Sequence, residues 1–304
     1  MSRIHDALKK AQQERAAGLV PESPLRPIGV EETATLGPQE FAAVTQLPPR
    51  AGEASEPLTL ATLAARCSRP QWNPEPMVAK LFSSLNHVPG GEELRTLRSR
   101  LYQIRDQQPL KALLITSAVP AEGKTFLTAS LAQAIVRQHE RHALIIDADL
   151  RKPQLHNTLG APLSPGLTDY LSGEADECSI VQAGPKENLF FIPGGKLAEQ
   201  PAELLSNGRL QVLLEKLVPL FDWVLIDSPP VVPVADASIL AKFCDGVLLV
   251  VRAESTPFDL AQKARDEFRD KNLLGVVLNQ AERKSGYGYY YSYSESAKHG
   301  SKKR

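Results

Sequence analysis

Residues 111 to 136 read KALLITSAVPAEGKTFLTASLAQAIV. The opening letters, Lys111 to Ser117, form an apolar run of strand length, and the closing ones, Phe126 to Val136, carry helical periodicity. Between them, Ala118-Val119-Pro120-Ala121-Glu122-Gly123-Lys124-Thr125 matches the phosphate loop G-x-x-x-x-G-K-[ST], with alanine in place of the first glycine. Strand, loop and helix in that order predict backbone N–H groups and a helix N-terminus facing a phosphate chain. Gly123 stands where the backbone approaches the phosphates most closely, Lys124 reaches the β and γ phosphates, and the Thr125 hydroxyl can ligate Mg²⁺. The eight loop residues and Phe126 behind them are therefore the expected binding set for ATP with Mg²⁺.

Outward from this loop, apolar strand-like runs alternate with helical stretches: KALLIT, HALIID, LFFIP, WVLID, GVLLVV and LGVVLN. Unbroken apolar strands separated by helices predict a parallel sheet covered on both faces, hence an α/β, doubly wound, mostly parallel P-loop NTPase fold. Right-handed crossovers bring the strand C-termini to one edge, where ligands of such sheets bind. Thr256-Pro257-Phe258-Asp259 reads as a helix start, with a hydroxyl N-cap, a proline at the first helical position and an acid at the third.

Two further strand ends carry acids. Asp147, Asp149 and Arg151 follow Leu144-Ile145-Ile146, and Asp227 closes Val224-Leu225-Ile226 in a Walker B pattern. Such carboxylates can hold Mg²⁺ directly or through its waters, and one can accept the proton of a hydroxyl nucleophile. A lone Asp after a strand more often caps a helix or a turn. Three of them on strands of one sheet with a phosphate loop favour a metal site.

The rest of the chain bounds the reading. At 304 residues, 42% hydrophobic and 23% charged, it holds one sizeable α/β core plus appendages. Lys+Arg and Asp+Glu both number 35, so no net field points to nucleic acid, which is not an expected partner. Cys67, Cys178 and Cys244 lie far apart without CxxC spacing, which argues against a zinc site or a disulfide framework and fits a reducing cytosol. No apolar run approaches the ~20 residues that cross a bilayer. Residues 1–17 predict a short amphipathic helix on Ile4, Ala7, Leu8 and Ala11, a docking element or a solvated helix. Eleven of the 24 prolines precede residue 90, so 18–89 reads as a largely disordered linker, 90–280 as the P-loop domain and 281–304 as a flexible tail.

With these motifs in hand, the sequence resembles the bacterial tyrosine kinases (BY-kinases) that regulate capsule and exopolysaccharide polymerisation and export. The resemblance covers about residues 90 to 295. It rests on the phosphate loop after Thr116-Ser117, IIDADLRKP at 145–153, IDSPPV at 226–231 and the tyrosine cluster. GLTDYLSGE at 166–174, PAELLS at 201–206, DGVLLVVRAEST at 245–256 and the opening MSRIHDALKKA add to it. It implies Mg·ATP-dependent autophosphorylation on tyrosine, with Lys124, Asp147 and Asp149 catalytic, Asp147 the general base, and Thr125, Asp149 and Asp227 on the metal. Glu92, Arg95 and Arg98, an ExxRxxR pattern at helical spacing, correspond to subunit contacts of a ring, which implies phosphorylation in trans; read alone, they are a solvated charged face. It further implies a membrane-embedded copolymerase or chain-length-type activator, a cognate tyrosine phosphatase, and a cytoplasmic protein held at the inner membrane through that activator. Partitioning and septum-placing switch ATPases share the fold and are the alternative, but where they carry a second lysine early in the loop this chain has Val119.

Tyr287, Tyr289, Tyr290, Tyr291 and Tyr293 are five of seven tyrosines, set among Gly and Ser rather than aliphatic neighbours. Beside a kinase site they read as phosphoacceptors. Fourteen residues from Asn279 to Tyr293 extend up to ~46 Å, more than a core diameter on the order of 40 Å, so the tail can reach a neighbour's site. Asn279 stands where related ATPases contact the base, yet Gln280 follows where a basic residue is expected.

Overall fold

The computed structural model describes residues 57–83, 88–138 and 140–281. The expected N-terminal helix, linker residues 18–56 and all five clustered tyrosines lie outside the described residues. No helix among the described residues is long and apolar enough to cross a membrane.

Among the described residues seven strands form one sheet: β1 Ala112–Ser117, β2 Ala143–Asp147, β3 Gln182–Ala183, β4 Leu189–Ile192, β5 Trp223–Asp227, β6 Gly246–Arg252 and β7 Leu273–Asn279. Their order is β3-β4-β2-β5-β1-β6-β7. All pairs run parallel except β3 with β4. The six anticipated runs are strands. The two-residue β3 was not anticipated, being too short to carry a period.

Alternation along each strand divides the side chains between two cores. Leu113, Ile115, Ile145, Leu225, Leu248 and Val250 face one, and Leu114, Leu144, Ile146, Val224, Ile226 and Leu249 face the other. The first is covered by the phosphate-loop helix Lys124–Val136 with the helices Pro76–Ser83 and Gly91–Arg105. Every residue of that helix from Leu127 to Val136 is buried, because those two helices close its outer side. The second core lies under helices Pro201–Ser206, Arg209–Leu217, Asp236–Leu240 and Phe258–Glu267.

The structure departs from the expected linker. The described residues, from residue 57 on, all belong to one compact unit, where the domain was expected to begin near residue 90. Helix Leu60–Arg66 is opened by a reciprocal Thr59–Thr62 capping box and buries Leu63 completely. Ser68 pairs with Gln182 at the sheet edge. The Trp72 ring stands edge-on to Phe191 with centroids 5.8 Å apart. Helix Pro76–Ser83 buries Val78 and Leu81, and Arg137 Nη2 donates to the carbonyls of Leu81 and Phe82 at 2.6 and 3.0 Å. Proline-rich composition masked this because the helices have seven and eight residues, too few for a period to emerge.

Candidate active site

β1 delivers the chain into the phosphate loop at Ser117, whose hydroxyl donates to the Val119 carbonyl at 2.9 Å. Ala121 turns the loop at φ +66° and Gly123 at φ +88°, both left-handed. At Gly123 that conformation favours glycine, and a Cβ there would also lie 2.2 Å from Asn279 Nδ2, which would have to move. Gly123 also caps helix Lys124–Val136 without any side-chain bond, which leaves first-turn N–H groups available to an anion. Ala118 is fully buried at the loop's base, while Pro120, Ala121 and Phe126 are exposed at its rim.

Lys124, Thr125 and the acids converge. Lys124 Nζ lies 3.1 Å from Asp149 Oδ2 and 3.5 Å from Asp227 Oδ2. Thr125 Oγ1 donates to Asp227 Oδ2 at 2.7 Å. Thr128, one turn further along the helix, places its hydroxyl 3.4 Å from Asp227 Oδ1. The sequence reading missed Thr128, whose signal was its spacing of four from Lys124 and three from Thr125. Asp147 and Asp227 are register partners across β2 and β5.

Asp147 is committed to the backbone. Its Oδ1 accepts from Asp149 N–H at 3.2 Å, and its Oδ2 accepts from Gln154 and Leu155 N–H at 3.1 and 3.0 Å. It holds the turn after β2, the role that a lone Asp would suggest, while standing beside the other acids. Burial, then the charge of Asp227, pushes its carboxyl up to about 8. Burial likewise raises Asp227, with Lys124 opposing. For Lys124, burial pulls the ammonium down, but Asp227 and Asp149 outweigh it and the net shift is upward. The lysine's charge is thus favoured while that of its more deeply buried partner Asp227 is not.

Arg151 turns away from these acids into a two-pronged pair with buried Asp236, 2.8 Å from Nε to Oδ2 and 3.0 Å from Nη2 to Oδ1. Glu122, one of the expected binding residues, is 1% exposed, and its carboxylate faces inward onto the Val119 N–H. Thr256 does not cap a helix. Pro257 occupies the cap of Phe258–Glu267, and the Thr256 hydroxyl donates to Glu122 instead. Asn279 spends its amide on the Glu122 carbonyl, 2.8 Å away. In helix Gly91–Arg105, Glu92 pairs with Arg95, whereas Arg98 Nη1 donates to the Ala134 carbonyl at 2.6 Å and so ties this helix to the end of the phosphate-loop helix.

Thr125, Asp149 and Asp227 offer only oxygen donors, the chemistry Mg²⁺ requires. Among the described residues no three His, Cys, Asp or Glu side chains form an all-protein metal cage. Mg²⁺ is ordinarily held by one or two carboxylates with phosphate oxygens and water, so the donor set fits the ion.

A parallel sheet with this loop, lysine and strand-end acids defines a nucleotide-binding P-loop NTPase. No protein-family model matches the chain. It is 35% identical over 203 residues to tyrosine-protein kinase YwqD of Bacillus subtilis (strain 168), covering 66% of this chain and 85% of that one. It is 34% identical over 215 residues to tyrosine-protein kinase Wzc of Salmonella typhimurium, covering 68% of this chain but only 30% of that longer one. The kinase domain of Escherichia coli tyrosine kinase ETK superposes with a TM-score of 0.64 at 28% identity, over 73% of this chain and 86% of that one. The septum site-determining protein MinD from Pyrococcus horikoshii OT3, complexed with Mg-ADP, shares the fold alone, at a TM-score of 0.50 and 23% identity over 58% of this chain and 72% of that one. The chain belongs to the bacterial tyrosine-protein kinases of capsule and exopolysaccharide operons.

Proposed function

We propose that the chain transfers the γ-phosphoryl group of Mg·ATP to Tyr287, Tyr289, Tyr290, Tyr291 and Tyr293 of a second copy of itself, and that this cycle regulates polysaccharide polymerisation and export. The observation that carries the reading is the convergence of Lys124, Thr125, Asp149 and Asp227 within 3.5 Å contacts at the mouth of the phosphate loop. In this reading the phosphate chain lies along the loop N–H groups from Ala118 to Phe126, and Lys124 exchanges Asp149 for β and γ oxygens. Thr125, Asp149 and Asp227, together with phosphate, would hold Mg²⁺, which would offset the charge there. A tyrosine oxygen attacks the γ phosphorus, the bond to the bridging oxygen breaks and ADP leaves. The phenolic proton passes to a carboxylate. Asp147 is the proposed base; in the site without ligands its carboxyl is held up to about 8, and the cations at the site would have to free it of its own proton before it could accept another. The three N–H groups on its oxygens favour Asp149 as a second assignment.

Glu92 and Arg95 lie on the helix proposed to meet a neighbouring subunit of a ring, with Arg98 bracing that helix from within. A membrane-embedded copolymerase or chain-length-type protein is proposed as the activator that holds the chain at the inner membrane, with a cognate phosphatase resetting the tyrosines. The test is incubation with Mg·ATP, with and without the activator's cytoplasmic segment, and mapping of phosphotyrosine by mass spectrometry beside Lys124→Met. Phosphate on residues 287–293 that vanishes in Lys124→Met supports the reading. Hydrolysis of ATP with no phosphotyrosine while the partner binds would make the protein a switch ATPase, and full activity without the segment would remove the activator.

A further inference from the structure

Glu122 is the least exposed loop residue after Ala118, and its four partners come from three parts of the chain. One carboxylate oxygen accepts the N–H of Val119 within the loop at 2.8 Å. The other accepts the Thr256 hydroxyl and, at 3.3 Å, the Arg252 N–H, where β6 ends. Its backbone carbonyl accepts Asn279 Nδ2 at 2.8 Å, where β7 ends. Thr256 Oγ1 also accepts from Arg252 N–H at 3.1 Å, closing a small ring. Residues up to 157 positions from Glu122 thus meet at this one residue, its side chain and its backbone carbonyl together, and the residue is buried to 1% exposure.

Backbone strain gathers at the same place. Five described non-glycine residues have positive φ, and three of them adjoin this network: Ala121 beside Glu122, Glu254 between Arg252 and Thr256, and Gln280 beside Asn279. Left-handed non-glycine residues persist where surrounding contacts over-determine them, and they cluster at ligand clamps.

The position of the acids gives the network a direction. Asp147, Asp149 and Asp227 stand on the β2 and β5 side of β1, and Lys124 turns toward them. A triphosphate whose γ end meets these groups runs its α end, ribose and base the other way, over the ends of β6 and β7. We propose that Glu122 is a positioning residue for nucleotide: its carboxylate latches the phosphate loop to the β6 end and its backbone carbonyl ties the loop to the β7 end, so that the phosphate cradle and the base side form one pre-organised site. It acts through Val119, Arg252, Thr256 and Asn279 and does not touch the reacting atoms. The proposal rests on the reading that the phosphates lie at Lys124.

The experiment is titration calorimetry of the full chain with Mg·ATP and with inorganic tripolyphosphate, which has phosphates but no base or ribose. Thr256→Val removes the hydroxyl from the β6 side of the latch and leaves the loop's own bond intact. It is expected to raise the Kd for ATP roughly tenfold, the weight of one hydrogen bond to a charged group, and to leave tripolyphosphate within about threefold of wild type, well below that loss. Glu122→Gln keeps one acceptor oxygen but sets an amide N–H against a donor, and weakens both ligands. In the double variant the ATP loss should match that of Glu122→Gln alone, because both changes open one latch. Glu122→Asp, which keeps the charge on a shorter arm, should recover part of the ATP affinity. Losses that add independently, or an unchanged ATP Kd in Thr256→Val, would overturn the latch. A Lys124→Met chain that still binds ATP as wild type would instead overturn the placement of the phosphates, which separates the two failures.

Discussion

Leu81 lies in a segment whose composition reads as linker, yet it is 1% exposed and sits against the phosphate-loop helix. Truncation to alanine there removes three carbons from a site walled by Val78 and the Lys124–Val136 helix, with the local backbone held by Arg137 on the Leu81 and Phe82 carbonyls. A buried Leu→Ala change costs about 2–5 kcal/mol, a large share of the roughly 5–15 kcal/mol that holds a domain together. At ~2–4 °C per kcal/mol for a unit of this size, Leu81→Ala should lower the melting temperature by roughly 4–20 °C. The same substitution in a solvated linker stays within about 0.5 kcal/mol. Urea unfolding followed by tryptophan fluorescence reads the difference, with Trp72 reporting on the segment itself and Trp223 on the sheet. Gly160→Ala attacks the same docking from the other side. At φ +61° its new Cβ would fall 1.8 Å from the Asn73 carbonyl oxygen, so the segment must lift or the turn must shift. Midpoints indistinguishable from wild type in both variants would refute the packing of residues 57–83 on the domain.

Gly123→Ala should weaken ATP binding sharply and also lower the melting temperature, since alanine is strained at φ +88° and its Cβ would meet Asn279 Nδ2 at 2.2 Å, displacing the amide that holds the Glu122 carbonyl; calorimetry showing near-wild-type affinity would contradict that geometry. Asp147→Asn addresses pH. The folded-state carboxyl sits at about 8 against an ordinary 3.8, so its contribution to stability is complete below about pH 4 and is lost as pH rises toward 8. Without nucleotide, wild-type melting temperature should therefore fall from pH 5 to 8. The variant, less stable throughout because its amide opposes backbone donors, should show a shallower slope. Some slope should remain, because Asp227 is raised in the same direction, and an unchanged slope would mean that Asp147 is not the titrating group. Arg98→Ala should cost about 1–3 kcal/mol in urea unfolding by freeing the Ala134 carbonyl; unaltered stability with loss of oligomer would place Arg98 at the subunit contact alone.

What the sequence disclosed and what it hid divide along a physical line. The six longer strands were legible because a sheet buried on both faces demands unbroken apolar runs such as ALLITS and GVLLVVR. The nearness of Lys124, Asp149 and Asp227 was legible because each stands at a strand end or helix start, and a parallel sheet brings such ends to one edge whatever the intervening chain contains. Residues 57–83 were illegible because their helices are too short for periodicity. Their burial comes from partners at Gly160, Phe191 and Arg137, which no local window includes.

Thr256 shows the same division within one residue. Its neighbours Pro257 and Asp259 satisfy the grammar of a helix start, and the helix does begin there, at Phe258. Local grammar could place the helix without placing the hydroxyl, because Glu122, a buried acid 134 residues away, offers a charged acceptor. A hydrogen bond to a charged group is worth about twice a neutral one, so the carboxylate outcompetes the N–H groups of the first turn. Arg151 and Arg98 follow the same rule in reverse: each was read beside its sequence neighbours, and each is held by a distant acceptor, the Asp236 carboxylate or the Ala134 carbonyl. Charged side chains near a strand or helix end are therefore assigned by whichever acceptor or donor is most deeply buried nearby. In this chain those acceptors are Glu122 within the phosphate loop, Asp236 at the start of the helix Asp236–Leu240 and the Ala134 carbonyl in the phosphate-loop helix.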